Sequence, residues 1–267
     1  MSTSFSFPRL GRLIAKQFFE NTKFYAYCIL ALAGLLALVF AFWIETDGPR
    51  YSEQAIYMVF LIGLFISGSV FASMSFNMLG DKDKGIYWLS LPATHFEKLV
   101  ATIFYTTVLF SIIYCLCFYL IKTVALIILK QLMADTPGFS YQEMQDFSKG
   151  FGEVFPYFIC GFFAVQALYL LGSVYFSRYS FIVTSVVFAL LFFSFMYYMT
   201  KLEHGFFEKG VSWDITQAVK RNVGVPGSYW LYSVSPTTAK IFKYLVMFGW
   251  APVFWFVTWC RLREKEV

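Results

Sequence analysis

Six times along this chain, about 20 residues pass with almost no ionisable side chain, which is the length that crosses the hydrocarbon core of a bilayer as a helix. The runs are Phe24–Ile44, Ala55–Leu79, Val100–Ile121, Phe155–Phe176, Phe181–Met199 and Ile241–Cys260. In lipid only helices and closed barrels satisfy their own backbone, and runs this continuously apolar lack the alternation of barrel strands. The expected fold class is therefore an all-α integral membrane protein with six transmembrane helices in a single domain, residues 1–267. Composition agrees: charged residues make up 14% of the 267, too few to cover a water-facing globule of that size.

The formal net charge of +5 sits in short basic patches between apolar blocks, and we read no nucleic-acid partner from it. No cleavable signal peptide is expected, because residues 1–23 are too polar for the apolar core of one. Cys28, Cys115, Cys117, Cys160 and Cys260 all fall within apolar segments without metal or disulfide spacing, and read as small core hydrophobes. His95 and His204 are expected on opposite sides of the membrane and form no metal pair. With no Gly-rich loop ending in Gly-Lys-Ser/Thr, no catalytic residue, cofactor or metal is assigned, and the chain is not expected to be an enzyme. The spans also lack the midplane acids, histidines and lysines of ion-coupled transporters.

Orientation follows from the charges around the first span. Arg9, Arg12, Lys16 and Lys23 precede it, whereas Arg50 follows it among Glu45, Asp47 and Glu53. The positive-inside rule places the N-terminus in the cytoplasm, and an even number of spans returns Arg261 and Arg263 to the same side. Lys209, Lys220 and Arg221, in the long segment before the last span, run against the rule. Within residues 1–23, Pro8–Phe19 reads as an amphipathic helix on the cytoplasmic headgroups. Arg9, Arg12 and Lys16 form one face, with Leu10, Leu13, Ile14, Gln17 and Phe18 on the other. The apolar stretch Leu99–Leu129 exceeds one span, so Lys122 is expected at the outer interface, with Thr123–Leu129 continuing as a turn or an extension.

Small and weakly polar residues collect on the second span. Ser69, Ser73 and Asn77 repeat every four residues, and Gly68 and Ala72 form a small-xxx-small pair. Close helix packing is the first reading and a transport-path surface the second.

The loop 80–98 carries the most information. Gly85 to Leu91 is a short apolar block containing Tyr87, Trp88 and Leu89, fronted by Asp81 and Asp83 and stopped by Pro92. Thr94 and Glu97 fit a capping box, so the third helix is expected to start at Thr94, below the membrane surface, behind a compact helical knob. Exposing Tyr87, Trp88, Leu89 and Leu91 together as one patch is costly, so they dip into lipid or meet another protein.

This stretch, Gly85-Ile-Tyr-Trp-Leu-Ser-Leu-Pro92 with Ala-Thr-His-Phe-Glu-Lys98 after it, resembles the segment following the second span in ABC-2 type transporter permeases. It departs from many members at Tyr87-Trp88, where they carry an acid. The resemblance implies a coupling helix that seats in a separate cytoplasmic ABC ATPase, and a working unit of two permease subunits, alike or different, with two ATPases. It also implies residence in a bacterial inner membrane, an outward direction as in exporters, and an outer re-entrant element over 200–238. There Asp214 would stand near a helix start and Lys220 and Arg221 near its end, with Pro236 opening the sixth helix and Pro252 kinking it. The rival from a different class is a non-transporting membrane protein, an immunity or assembly factor, whose Tyr87–Leu91 patch faces lipid.

Overall fold

A computed structural model of the chain describes residues 5–47, 50–135, 140–142, 147–176, 178–206, 211–213, 217–221, 229–233 and 235–265. Among them run α1 (Phe7–Glu20), α2 (Thr22–Asp47) and α3 (Glu53–Met74). A 3₁₀ turn (Asn77–Gly80), α4 (Lys82–Ser90) and α5 (His95–Ile103) follow. A π-helical stretch (Phe104–Leu109) joins α5 to α6 (Phe110–Asp135), and α7 (Phe147–Tyr175), α8 (Ser180–Phe206) and α9 (Pro236–Glu264) complete the set.

Among the described residues, six helical stretches are long and apolar enough to cross a membrane: Thr22–Thr46, Ala55–Gly80, His95–Gln131, Phe155–Tyr175, Ser180–Lys201 and Pro236–Glu264. This is the build of a multi-pass helical membrane protein. The outward faces suit it. Large apolar side chains such as Leu38, Phe42, Leu120, Leu191, Phe193 and Leu245 stand exposed, an arrangement that only an apolar solvent tolerates.

The third stretch is 37 residues long. At about 1.5 Å per residue it would reach about 55 Å, well beyond a hydrocarbon core of about 30 Å. It continues through Lys122 and Thr123–Leu129 as regular helix, and Ala125 and Leu129 are buried against the core, so this segment extends the helix and makes no turn. Lys122 lays its ammonium over the Tyr57 ring, 5.2 Å from the centroid.

Two apolar clusters hold the bundle. The larger joins Phe40 and Trp43 of α2, Ile56 of α3, Phe110, Tyr114 and Phe118 of α6, and Phe162 of α7. Tyr114 is a large side chain with one polar atom, and it donates to the Phe60 carbonyl at 2.9 Å across the helix pair. The smaller cluster gathers Phe76, Leu99, Leu170, Val174 and Leu262, with Trp88, Ile103, Trp255 and Trp259 packed around it. It brings the C-terminal parts of α7 and α9 to the start of α5. Because α1 also reaches this region, we call it the terminal end of the bundle.

Short strands appear where none was expected. β1 (Arg50–Ser52) pairs in parallel with β2 (Ser140–Gln142), joining the connections that follow α2 and α6. β3 (Val211–Trp213), β4 (Gln217–Arg221) and β5 (Tyr229–Ser233) form an antiparallel sheet between α8 and α9. This corrects the helix expected there: Lys220 and Arg221 lie in β4, paired with Trp230 and Tyr229. β-branched and aromatic residues at Val211, Val219, Tyr229 and Tyr232 favour pleated backbone, which outweighed the charge pattern taken for a helix dipole. Asp214 and Lys209 lie outside the described residues. Pro236 occupies the first turn of α9, where Ser235 accepts from the Thr238 amide at 3.3 Å, and Pro252 sits within a helix that runs unbroken to Glu264.

Candidate functional site: the helical knob at the terminal end

The loop 80–98 folds as expected into a compact knob followed by a capped helix. Asp81 is the N-cap residue of α4, and its carbonyl accepts the Gly85 amide at 2.8 Å. Leu91 ends the helix, and Pro92 stands exposed beyond it. Gly85 is buried, yet a Cβ there would meet the Met78 and Leu79 backbone at 3.7 Å, an ordinary contact. Its glycine is not demanded by clearance.

Thr94 caps α5 as its residue type predicts. Its Oγ1 accepts the Glu97 amide at 3.2 Å, while Glu97 Oε2 accepts the Thr94 amide at 2.9 Å. Glu97 does more than close the box. Its side chain is fully buried, and Oε1 accepts from the Ser6 amide at 2.7 Å and from Arg9 Nη2 at 3.0 Å. One carboxylate therefore fastens the N-terminal segment, α1 and the start of α5 together. A buried carboxylate is costly unless paired and hydrogen-bonded, and here both oxygens are occupied.

The α1 helix lies across the same region, with its Leu10, Leu13, Ile14 and Gln17 side half-buried and Arg12 exposed. Tyr105 Oη donates to the Ile14 carbonyl at 2.6 Å. The basic face is not left to lipid headgroups alone. Arg9 turns inward to Glu97, and Lys16 stands over the Tyr87 ring, 4.9 Å from its centroid. Tyr87 Oη donates to Glu20 Oε1 at 2.9 Å. Tyr87 first, then the Glu20 charge, hold the Lys16 ammonium above the usual lysine range.

The aromatic pair on α4 divides its work. Trp88 turns inward and meets Phe76 edge-on at 5.5 Å, with Lys98 Nζ 5.0 Å over its ring. Tyr87 is half-bound to α1 and 52% exposed. Among the described side chains of the knob the freest apolar one is Ile86, 68% exposed, which the sequence reading passed over in favour of its aromatic neighbours. Leu91 is half-buried, and the Leu89 side chain lies outside the described residues. At the far side of this end, Lys265 Nζ donates to the Val174 carbonyl at 2.7 Å, tying the C-terminus to α7. Burial, with the Arg261 charge beside it, pushes that ammonium below the ordinary lysine range.

The second-span residues separate. Gly68, Ser69, Ala72 and Ser73 are buried, whereas Asn77 is exposed, because α3 ends at Met74 and the following 3₁₀ turn breaks the four-residue repeat. Ser69 and Ser73 donate to carbonyls of their own helix, Phe65 at 2.6 Å and Val70 at 2.7 Å. A Cβ at residue 68 would collide with Gln166 Nε2 of α7 and press on Phe162 at 3.1 Å and Phe110 at 3.2 Å. Gln166 itself was missed by the sequence reading, which sought ionisable groups in the spans. It is 1% exposed, and neither amide atom has a hydrogen-bond partner among the described residues. Leaving a buried polar group unpaired costs about 1–3 kcal/mol.

Comparisons of the sequence with protein-family models and with curated proteins, and of the fold with solved structures, find no match.

Proposed function

We propose that this chain is the membrane-spanning permease subunit of an ATP-driven ABC transporter of the ABC-2 type, in the export direction, with ATP hydrolysis carried by a separate cytoplasmic subunit. It works as a pair of permease subunits in a bacterial inner membrane, with both termini in the cytoplasm. The observation that carries the reading is the knob. A short helix with a free apolar residue, Ile86, sits on a capped helix whose axis continues through a π-helical stretch into the membrane. A push on α4 passes through Trp88 and Phe76 into the bundle and through Tyr87 and Glu20 into α1. That is the mechanical arrangement a docking ATPase needs. The capped start at Thr94 keeps the first turn of α5 from fraying under load.

Within this reading Trp88 anchors the knob to the bundle, and Ile86 and Tyr87 form the contact with the partner. Purification of the tagged chain from its native membrane in mild detergent tests it. A nucleotide-hydrolysing subunit accompanies the wild-type chain, and Ile86→Asp loses that subunit while keeping expression and membrane insertion. A wild-type preparation with no ATPase in it contradicts the reading and favours the non-transporting membrane protein.

A further inference from the structure

Gln166 lies close to the middle of its span. It is 11 residues past Phe155 and 9 before Tyr175, the ends of that apolar stretch (166 − 155 and 175 − 166). At about 1.5 Å per residue this puts its Cα about 15 Å from either end of the span. Its facing residue, Gly68, is likewise central, 13 residues past Ala55 and 12 before Gly80 (68 − 55 and 80 − 68). A carboxamide at this depth, with neither its oxygen nor its nitrogen bonded among the described residues, carries a desolvation cost that no protein group offsets.

What the amide meets is Gly68, on a stretch of α3 rich in small residues. Gly68, Ser69, Ala72 and Ser73 present little side-chain bulk, so α3 and α7 approach closely there, and the carboxamide nitrogen lies where a Cβ on residue 68 would stand. The serine hydroxyls are satisfied within α3 itself and free to accept from a further donor. On the other flank of α7, Gly172 stands against Thr184 of α8, whose Oγ1 is also buried without a partner among the described residues. Among the described residues, polar atoms without a partner thus border α7 on two sides within its apolar span.

We propose that the seam between α3 and α7 is a hydration site at the middle of the membrane, where water reaches the Gln166 carboxamide when the two helices loosen. Water both donates and accepts, which is what an amide with both ends unpaired requires. The seam is a polar route of the kind a permease needs, but its hydration does not depend on any ATPase.

The test uses the full-length chain with its five cysteines replaced by serine or alanine. A cationic methanethiosulfonate reagent modifies thiolates in water and leaves those in lipid or in a dry core. In intact membranes Gln166→Cys is modified at least tenfold faster than Leu170→Cys, a buried position one turn further along the same helix. Equal rates overturn the proposal. Gln166→Leu in the otherwise native chain supplies the second readout. Its melting temperature in detergent equals or exceeds that of the wild type, and a fall of several degrees, showing that the amide is satisfied by the protein itself, also overturns it.

Discussion

At Gly68 an added methyl group has nowhere to go: the nearest atoms belong to Gln166, Phe162 and Phe110, on two other elements. Overpacking a filled interior costs about 1–3 kcal/mol. Gly68→Ala should therefore lower the melting temperature in detergent, and adding Gln166→Ala should recover much of the loss, which a double-mutant cycle reads directly. Glu97 offers the opposite case, a residue whose loss leaves donors stranded. Glu97→Ala leaves the Thr94 cap in place but strands the Thr94 and Ser6 amides and removes a charged hydrogen bond to Arg9, the last worth about 1.5–3 kcal/mol. Thermal melting should show a destabilisation of about 3 kcal/mol, and Glu97→Gln should lose less, since its carbonyl still accepts from Thr94 or Ser6. Half of this site was legible in the sequence. Thr94 and Glu97 are three residues apart, and a capping box is a local rule. Ser6 and Arg9 lie 91 and 88 residues from Glu97, a pairing that no local pattern encodes. Gln166 went unread because a neutral amide in an apolar run carries no charge to draw notice.

Among the elements, α4 and α1 show what periodicity tells and what it leaves out. The short helix before Pro92 and the amphipathic helix at the N-terminus were both legible from apolar spacing and stop signals. Their relation was not: the basic face of α1 supplies Arg9 to Glu97 of α5 and Lys16 to the Tyr87 ring of α4, pairings that helical spacing does not encode. The same limit applies on α4, where an aromatic pair reads as one patch but Trp88 packs inward and Ile86 outward. This division predicts different phenotypes. Trp88→Ala should destabilise the purified chain by about 2 kcal/mol through lost packing, less than the cost of a fully buried tryptophan. Ile86→Ser, at an exposed position, should change stability by no more than about 0.5 kcal/mol. Melting curves of the two variants check this. The strands at 211–233 were illegible for a different reason, since three short strands separated by loops leave only scattered β-formers and no sustained alternation.

For the whole molecule, six apolar runs became six helices that fit a bilayer, because backbone satisfaction in lipid leaves so few alternatives. The terminal end gathers α1, α4, the start of α5 and the C-terminal parts of α7 and α9, and in the proposed orientation that end lies in the cytoplasm. Single cysteines at Asp83 and Arg263 should then resist a membrane-impermeant maleimide added to intact cells, while cysteines at 140 and 212, in the opposite connections, react. In the proposed function the knob meets an ATPase. A photo-reactive amino acid in place of Ile86, activated in living cells, tests it most directly. The account predicts a cross-link to one polypeptide that binds ATP through a phosphate-cradling loop; cross-links confined to lipid, with no nucleotide-binding partner, would contradict it.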